Sequence, residues 1–224
     1  FFFLDIAKKS GQYLQLTKRM IDCSFEYFKD KDFEFSINFT FQDISNEEIS
    51  NYVIEKIKEL NIGNRVVFEI VESEEIDDFN LINGFFSTIR KLGCKIAIDD
   101  FGIGVSGLKL LYFSEANIIK IDRFFISNID QDSKKKLFCS SIIDMAHIMG
   151  MQVIAEGVET QKEFYTCKDI GADFIQGFLV QKPTKNINEI LPIYNDISNL
   201  ILDDKREDQN KFIDYKSKTG DKTI

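Results

Sequence analysis

The chain has 224 residues, is 44% hydrophobic with 22 phenylalanines, and carries a formal net charge of −9. Its apolar content fills one large core or two small ones, and the acidic balance argues against DNA or RNA as a partner, because backbone phosphates select basic patches. No run approaches the roughly 18 apolar residues of a membrane helix, and the opening FFFLDIAKK is too short to anchor the chain and lacks the plan of a signal peptide.

In chain order, a helix over 10–29 precedes the first β-rich run, FEFSINF at 33–39. Ser45-Asn46-Glu47-Glu48 then opens a helix over 45–60 with a capping side chain and early acids. RVVFEI (65–70) leads to a helix over 78–92 closed by Gly93, and KIAID (95–99) to one over 106–113. NIIKID (117–122) precedes a helix over 132–149 closed by Gly150. MQVIAE (151–156) precedes a helix over 160–170 closed by Gly171, and FIQGF (174–178) precedes one over 186–200. Residues 201–224 switch to mixed charge and read as a solvated polar tail. Strands alternating with helices predict an α/β fold of βα units on a parallel sheet. Cys23, Cys94, Cys139 and Cys167 form no CxxC pair and read as reduced core thiols of a cytosolic protein.

In βα folds the chemistry collects where strands end at their C-terminal edge. The six runs end near Asn38, Glu69, Asp99-Asp100, Lys120, Glu156 and Gln176, each a polar group just after apolar residues. Strand ends often turn polar as they reach solvent, but six in a row, rich in acids, point to a site. Carboxylate and amide oxygens suit hard cations such as Mg²⁺ or Mn²⁺. Zinc is disfavoured: no cysteine lies on this rim, and the single histidine, His147, reads as a residue packed within its helix.

Asp99 and Asp100 raise each other's pKa when desolvated, so the pair calls for a lysine or arginine, a proton or a metal ion. Adjacent carboxylates can bridge two cations about 3.5–4 Å apart, an arrangement that hydrolyses phosphodiesters. Lys120 then orients water or offsets phosphoryl charge. Its bland alternative is a salt bridge to Asp122 or Asp99. A rival chemistry makes Lys120 a Schiff-base former, as in aldolases, although the surrounding acids would hold it protonated.

The segments SINFT, FEIVES, IAIDDFGIG, IIKIDRFFI, VIAEGVET and IQGF, in this order and covering nearly all of residues 1–195, resemble the EAL domain family of bacterial cyclic di-GMP phosphodiesterases. The resemblance implies a TIM-like (β/α)8 barrel with one antiparallel strand, of which this chain supplies six strands. It implies metal-dependent hydrolysis of cyclic di-GMP to linear pGpG in second-messenger signalling, with one or two Mg²⁺ or Mn²⁺ ions. The implied ligands are Asn38, Glu69, Asp99, Asp100 and Glu156. Lys120 is the water-positioning group, Glu159 a second acid, Gln176 a substrate-side glutamine, and Glu72 the acid that fastens the loop after Asp99-Asp100. A homodimer, an upstream sensor or diguanylate cyclase domain, and a cytoplasmic site (with membrane anchoring through upstream segments) follow in the same way.

Two departures qualify the resemblance. The Glu-x-Leu strand that gives the family its name does not occur, so residues 1–200 are expected to be the C-terminal three-quarters of the domain, with catalysis impaired in the chain as written. The family's DDFGTGYSSL reads DDFGIGVSGL here, with Ile103, Val105 and Gly107 as the changed positions. The alternative function is a degenerate EAL domain that binds cyclic di-GMP as a sensor without cutting it; a third is a purely structural docking barrel.

Overall fold

A computed structural model describes residues 2–71, 79–103 and 107–189, and the chain divides into two compact units, Phe1–Ile118 and Ile119–Ile224. The expected loop-fastening Glu72, most of the helix expected over 186–200 and the polar tail lie outside the described residues. Among the described residues no helix is long and apolar enough to cross a membrane.

The first unit contains α1 (Phe2–Lys9), α2 (Tyr13–Phe28), β1 (Phe35–Asn38), α3 (Phe41–Ser45), α4 (Glu47–Leu60), β2 (Val66–Val71), α5 (Phe79–Lys91), β3 (Lys95–Phe101) and α6 (Gly107–Ser114). The two longest amphipathic patterns behave as their spacing requires. Thr17, Ile21 and Phe25 form the buried stripe of α2, and Ile49, Val53 and Ile57 that of α4, each residue one turn from the last. Asn46 is the residue that caps α4, its side chain accepting the Ile49 N–H at 3.1 Å. Tyr52 of α4 donates to Asp22 of α2 at 2.6 Å, fastening the helices together. Arg65 donates to the carbonyls of Phe28, Lys29 and Lys31, at and just beyond the C-terminal end of α2.

The phenylalanines are core material. Phe28 stacks on Phe35 at 4.5 Å between centroids, Phe39 stacks on Phe85 at 5.5 Å, and Phe68 meets both Phe39 and Phe85 edge to face. Such pairs each contribute about 0.5–1.5 kcal/mol beyond the area they bury. The three strands beneath them are parallel, as expected: β1 pairs with β2 and β2 with β3.

The second unit takes in β4 (Ile118–Ile121) from Ile119 onward, then α7 (Arg123–Ile126), α8 (Ser133–Ile148), β5 (Gln152–Glu156), α9 (Gln161–Asp169) and β6 (Phe174–Gln176). All four β4 residues are buried, and β5 pairs with β6 in parallel. Asp132 starts α8 by accepting the N–H groups of Lys134 and Lys135 at 2.9 and 3.2 Å.

Two expectations need correction. His147 lies on a helix, but it is an exposed residue: its Nε2 sits 2.9 Å from Asp173 Oδ2, which also accepts the Val153 N–H at 2.7 Å. Cys94, Cys139 and Cys167 are buried thiols, whereas Cys23 is exposed, because its place on α2 lies off the Thr17–Ile21–Phe25 stripe. Burial pushes the Cys94 and Cys167 thiols up to about 12 and Cys139 up to about 11.

Candidate active site

In the first unit, strand register gathers the polar residues. Asn38 is the register partner of Glu69, and Glu69 is the partner of Ala97. Side chains two residues apart on a strand share a face, so Asn38, Glu69 and Asp99 stand on one face of the sheet. The other face carries Ile37, Phe68, Ile70, Ile96 and Ile98, all buried. Glu69 is inside β2, which continues to Val71, and β3 runs through the aspartates to Phe101.

Asp100 resolves the puzzle of neighbouring carboxylates. Regular strand geometry would send Asp99 and Asp100 to opposite faces. Asp100 has φ +54°, in the left-handed region, and this breaks the alternation. Carboxylate oxygens of Asp99 and Asp100 come within 4.8 Å of one another. Aspartate tolerates this conformation better than most residues, but it still costs about 1–3 kcal/mol, a strain found at sites where side-chain aim matters. Gly102 follows at φ +102°.

In the second unit, Lys120 is the buried cation. Its Nζ lies 2.8 Å from Glu156 Oε1, with both side chains largely shielded. Lys120 thus has an ion-pair partner in the carboxylate on β5. Asp122 caps α7, accepting the Phe124 N–H at 2.6 Å. An ion pair this close ties up the Lys120 amine, which opposes Schiff-base chemistry. Gln176 is the register partner of Glu156, so both side chains stand on one face at the ends of adjacent strands.

The loop between β5 and α9 is fixed by contacts that sequence reasoning missed. Arg123 Nη2 pairs with Glu159 Oε1 at 2.7 Å. Gly157, at φ +71°, lies under the Arg123 stem, so closely that a Cβ there would fall 2.6 Å from Arg123 Cβ. Glu163, buried at 5% exposure, accepts the N–H groups of Asn128, Glu159 and Thr160 at 2.8, 3.0 and 2.9 Å. Burial works to raise the Glu163 pKa, but these donors together hold it below the usual glutamate value. The Thr160-x-x-Glu163 spacing is a capping-box signal legible in the sequence. Nothing in the sequence marked Asn128 or Arg123 as its neighbours.

The oxygen donors fit hard divalent ions. Asp99 and Asp100 converge without thiolate or imidazole, and the Asn38 amide and Glu69 carboxylate share the Asp99 face.

Comparison with known proteins identifies the family of the chain. The family model described as EAL domain matches residues 2–183. Cyclic di-GMP phosphodiesterase PdeF of Escherichia coli strain K12 is 35% identical over 132 residues, covering 58% of this chain and 18% of PdeF. The bifunctional diguanylate cyclase/cyclic di-GMP phosphodiesterase MucR of Pseudomonas aeruginosa is 27% identical over 190 residues, covering 81% of this chain and 27% of MucR. The chain spans between 16% and 23% of the length of the first three curated relatives it matches. The solved PaMucR phosphodiesterase in complex with c-di-GMP has a TM-score of 0.74 at 26% identity, covering 81% of this chain and 82% of that one. The Klebsiella pneumoniae BlrP1 manganese/cy-diGMP complex has a TM-score of 0.66 at 25% identity, covering 77% of this chain and 45% of that one. The α/β fold expected from the sequence is thus shared with solved EAL-type proteins, and the chain belongs to the EAL domain family.

Proposed function

We propose that the protein hydrolyses cyclic di-GMP to linear pGpG, using Mg²⁺ or Mn²⁺. The observation that carries this reading is the left-handed Asp100, which turns its carboxylate towards that of Asp99 at the end of β3. Names of relatives that act on or bind cyclic di-GMP support the substrate.

Asn38, Glu69, Asp99, Asp100 and Glu156 are the proposed ligands for one or two ions. When bound, such ions polarise a phosphodiester and lower the pKa of water. Lys120, paired with Glu156, donates hydrogen bonds that orient water or offset phosphoryl charge. Glu159 serves as the second acid, Gln176 takes a hydrogen bond on the substrate side, and Glu72 fastens the loop that follows the aspartates. The same reading includes a homodimer, supported by Leu108 and Tyr112 of α6, which are 67% and 75% exposed. It also includes cytoplasmic action and coupling to a sensor or diguanylate cyclase domain, no DNA or RNA being involved.

Chromatography of cyclic di-GMP after incubation with the full-length protein and Mn²⁺ tests the proposal. Appearance of pGpG is the expected result. Bound but intact cyclic di-GMP would overturn it in favour of the sensor reading, to which the altered positions Ile103, Val105 and Gly107 lend support.

A further inference from the structure

Glu163 is a buried carboxylate for which the proposed reaction has no use. Buried anions persist where their acceptor positions are filled, and here the donors come from two separate segments. Glu163 Oε2 accepts from Glu159 and Thr160, while Thr160 Oγ1 accepts the Glu163 N–H at 3.2 Å. This reciprocal exchange is a helix cap and would serve any helix start. The bond from the Asn128 N–H to Oε1, at 2.8 Å, is not part of a cap. Asn128 belongs to the turn after α7, on the segment that leaves Lys120 and β4, and it sits at φ +59°.

Glu159 is therefore held from two directions. Glu163 fixes its backbone N–H, and Arg123 fixes its carboxylate. The Val158 N–H in between donates to the Gln176 carbonyl at 3.1 Å. A Cβ on Gly177 would fall 2.8 Å from the Val158 carbonyl carbon, so the residue after β6 packs closely against the same loop.

We propose that Glu163 is a positioning residue whose carboxylate ties the α7–α8 turn to the β5–α9 loop and so fixes where Glu159 stands. The catalytic consequence rests on the phosphodiesterase reading; the clamp itself does not. Misplacing a reacting group by about 1 Å can cost about 100-fold in rate.

The test uses Glu163→Ala and Glu163→Gln in the full-length protein, read by amide hydrogen exchange and by kcat and KM for cyclic di-GMP with Mn²⁺. Glu163→Ala is expected to lose protection at Asn128, Glu159 and Thr160 and to lower kcat by about 10- to 100-fold, with KM little changed. Glu163→Gln retains one acceptor oxygen; it is expected to keep the Glu159 and Thr160 amides protected, to lose Asn128, and to recover part of kcat. Unchanged protection in Glu163→Ala, or wild-type kcat, overturns the proposal. Should Glu163→Ala not fold, Glu163→Gln decides: an Asn128 amide as protected as in the unaltered protein overturns it. If the unaltered protein turns nothing over, the phosphodiesterase reading fails by itself. The exchange pattern then decides the clamp, unchanged protection overturning it and lost protection upholding it.

Discussion

Lys120 Nζ lies 2.8 Å from Glu156 Oε1, and the two side chains are only 4% and 14% exposed. An ion pair this shielded is weak evidence for stability as such, but removing one partner takes a close counter-charge from the other in a poorly solvated place. Lys120→Met should therefore destabilise the protein by roughly 3–5 kcal/mol and abolish turnover. Adding Glu156→Leu should recover much of the stability and none of the turnover. Urea unfolding of the two variants measures the first difference and pGpG production the second. A double variant no more stable than Lys120→Met would show that the pair is not the source of the loss.

The left-handed backbone at Asp100 separates conformation from charge. Asp100→Gly and Asp100→Asn suit φ +54°, whereas Asp100→Val forces a β-branched side chain into a region that costs about 1–2 kcal/mol for L-residues. Melting temperature should fall in the order Gly and Asn above Val. All three should bind Mn²⁺ more weakly in calorimetry, since each removes a carboxylate. Equal melting temperatures for Gly and Val would contradict the backbone assignment.

Gly157→Ala places a methyl group against the Arg123 stem at a φ of +71°. The clash falls on the root of the arginine side chain, so the backbone must shift and carry the guanidinium away from Glu159. Turnover should drop by about 10-fold or more, and adding Arg123→Ala should lower it little further, because the contact is already broken. Full additivity in a double-mutant cycle would contradict this coupling.

The thiols set an alkaline limit. Cys94 and Cys167 are pushed up to about 12 and Cys139 to about 11, from an ordinary value of 9.0, by burial. The folded protein keeps these protons while the unfolded chain releases them above pH 9, so stability is whole below that pH and falls as pH rises from 9 towards 11–12. The slope is at most about 1.4 kcal/mol per pH unit for each thiol. Urea midpoints at pH 8 and pH 10 should diverge less in a Cys94→Ala/Cys139→Ala/Cys167→Ala variant. At pH 8 a thiol reagent should modify Cys23 in the folded protein and reach the other three after unfolding.

Much of this protein was legible from its sequence. The β-rich runs matched strands β1 to β6 because short apolar segments between amphipathic stretches leave a βα chain little choice of arrangement. Asn38, Glu69, Asp99, Lys120, Glu156 and Gln176 stood out because strands of that kind present their C-terminal residues at one edge. The five- and four-residue helices α3 and α7 escaped notice, being too short to display a period, and so did the eight-residue α1. Tertiary structure alone decided the contacts between segments. Lys120 pairs with Glu156 on the following strand, although Asp122 is nearer in sequence, because neighbouring strands bring their ends together. The adjacent aspartates converge because one backbone angle at Asp100 changes sign, which no alternation of residue types encodes. Glu163 meets Asn128, and Arg123 covers Gly157, because a hydrogen bond or a steric contact depends on distance in space, and residue order constrains that distance only within the reach of a turn.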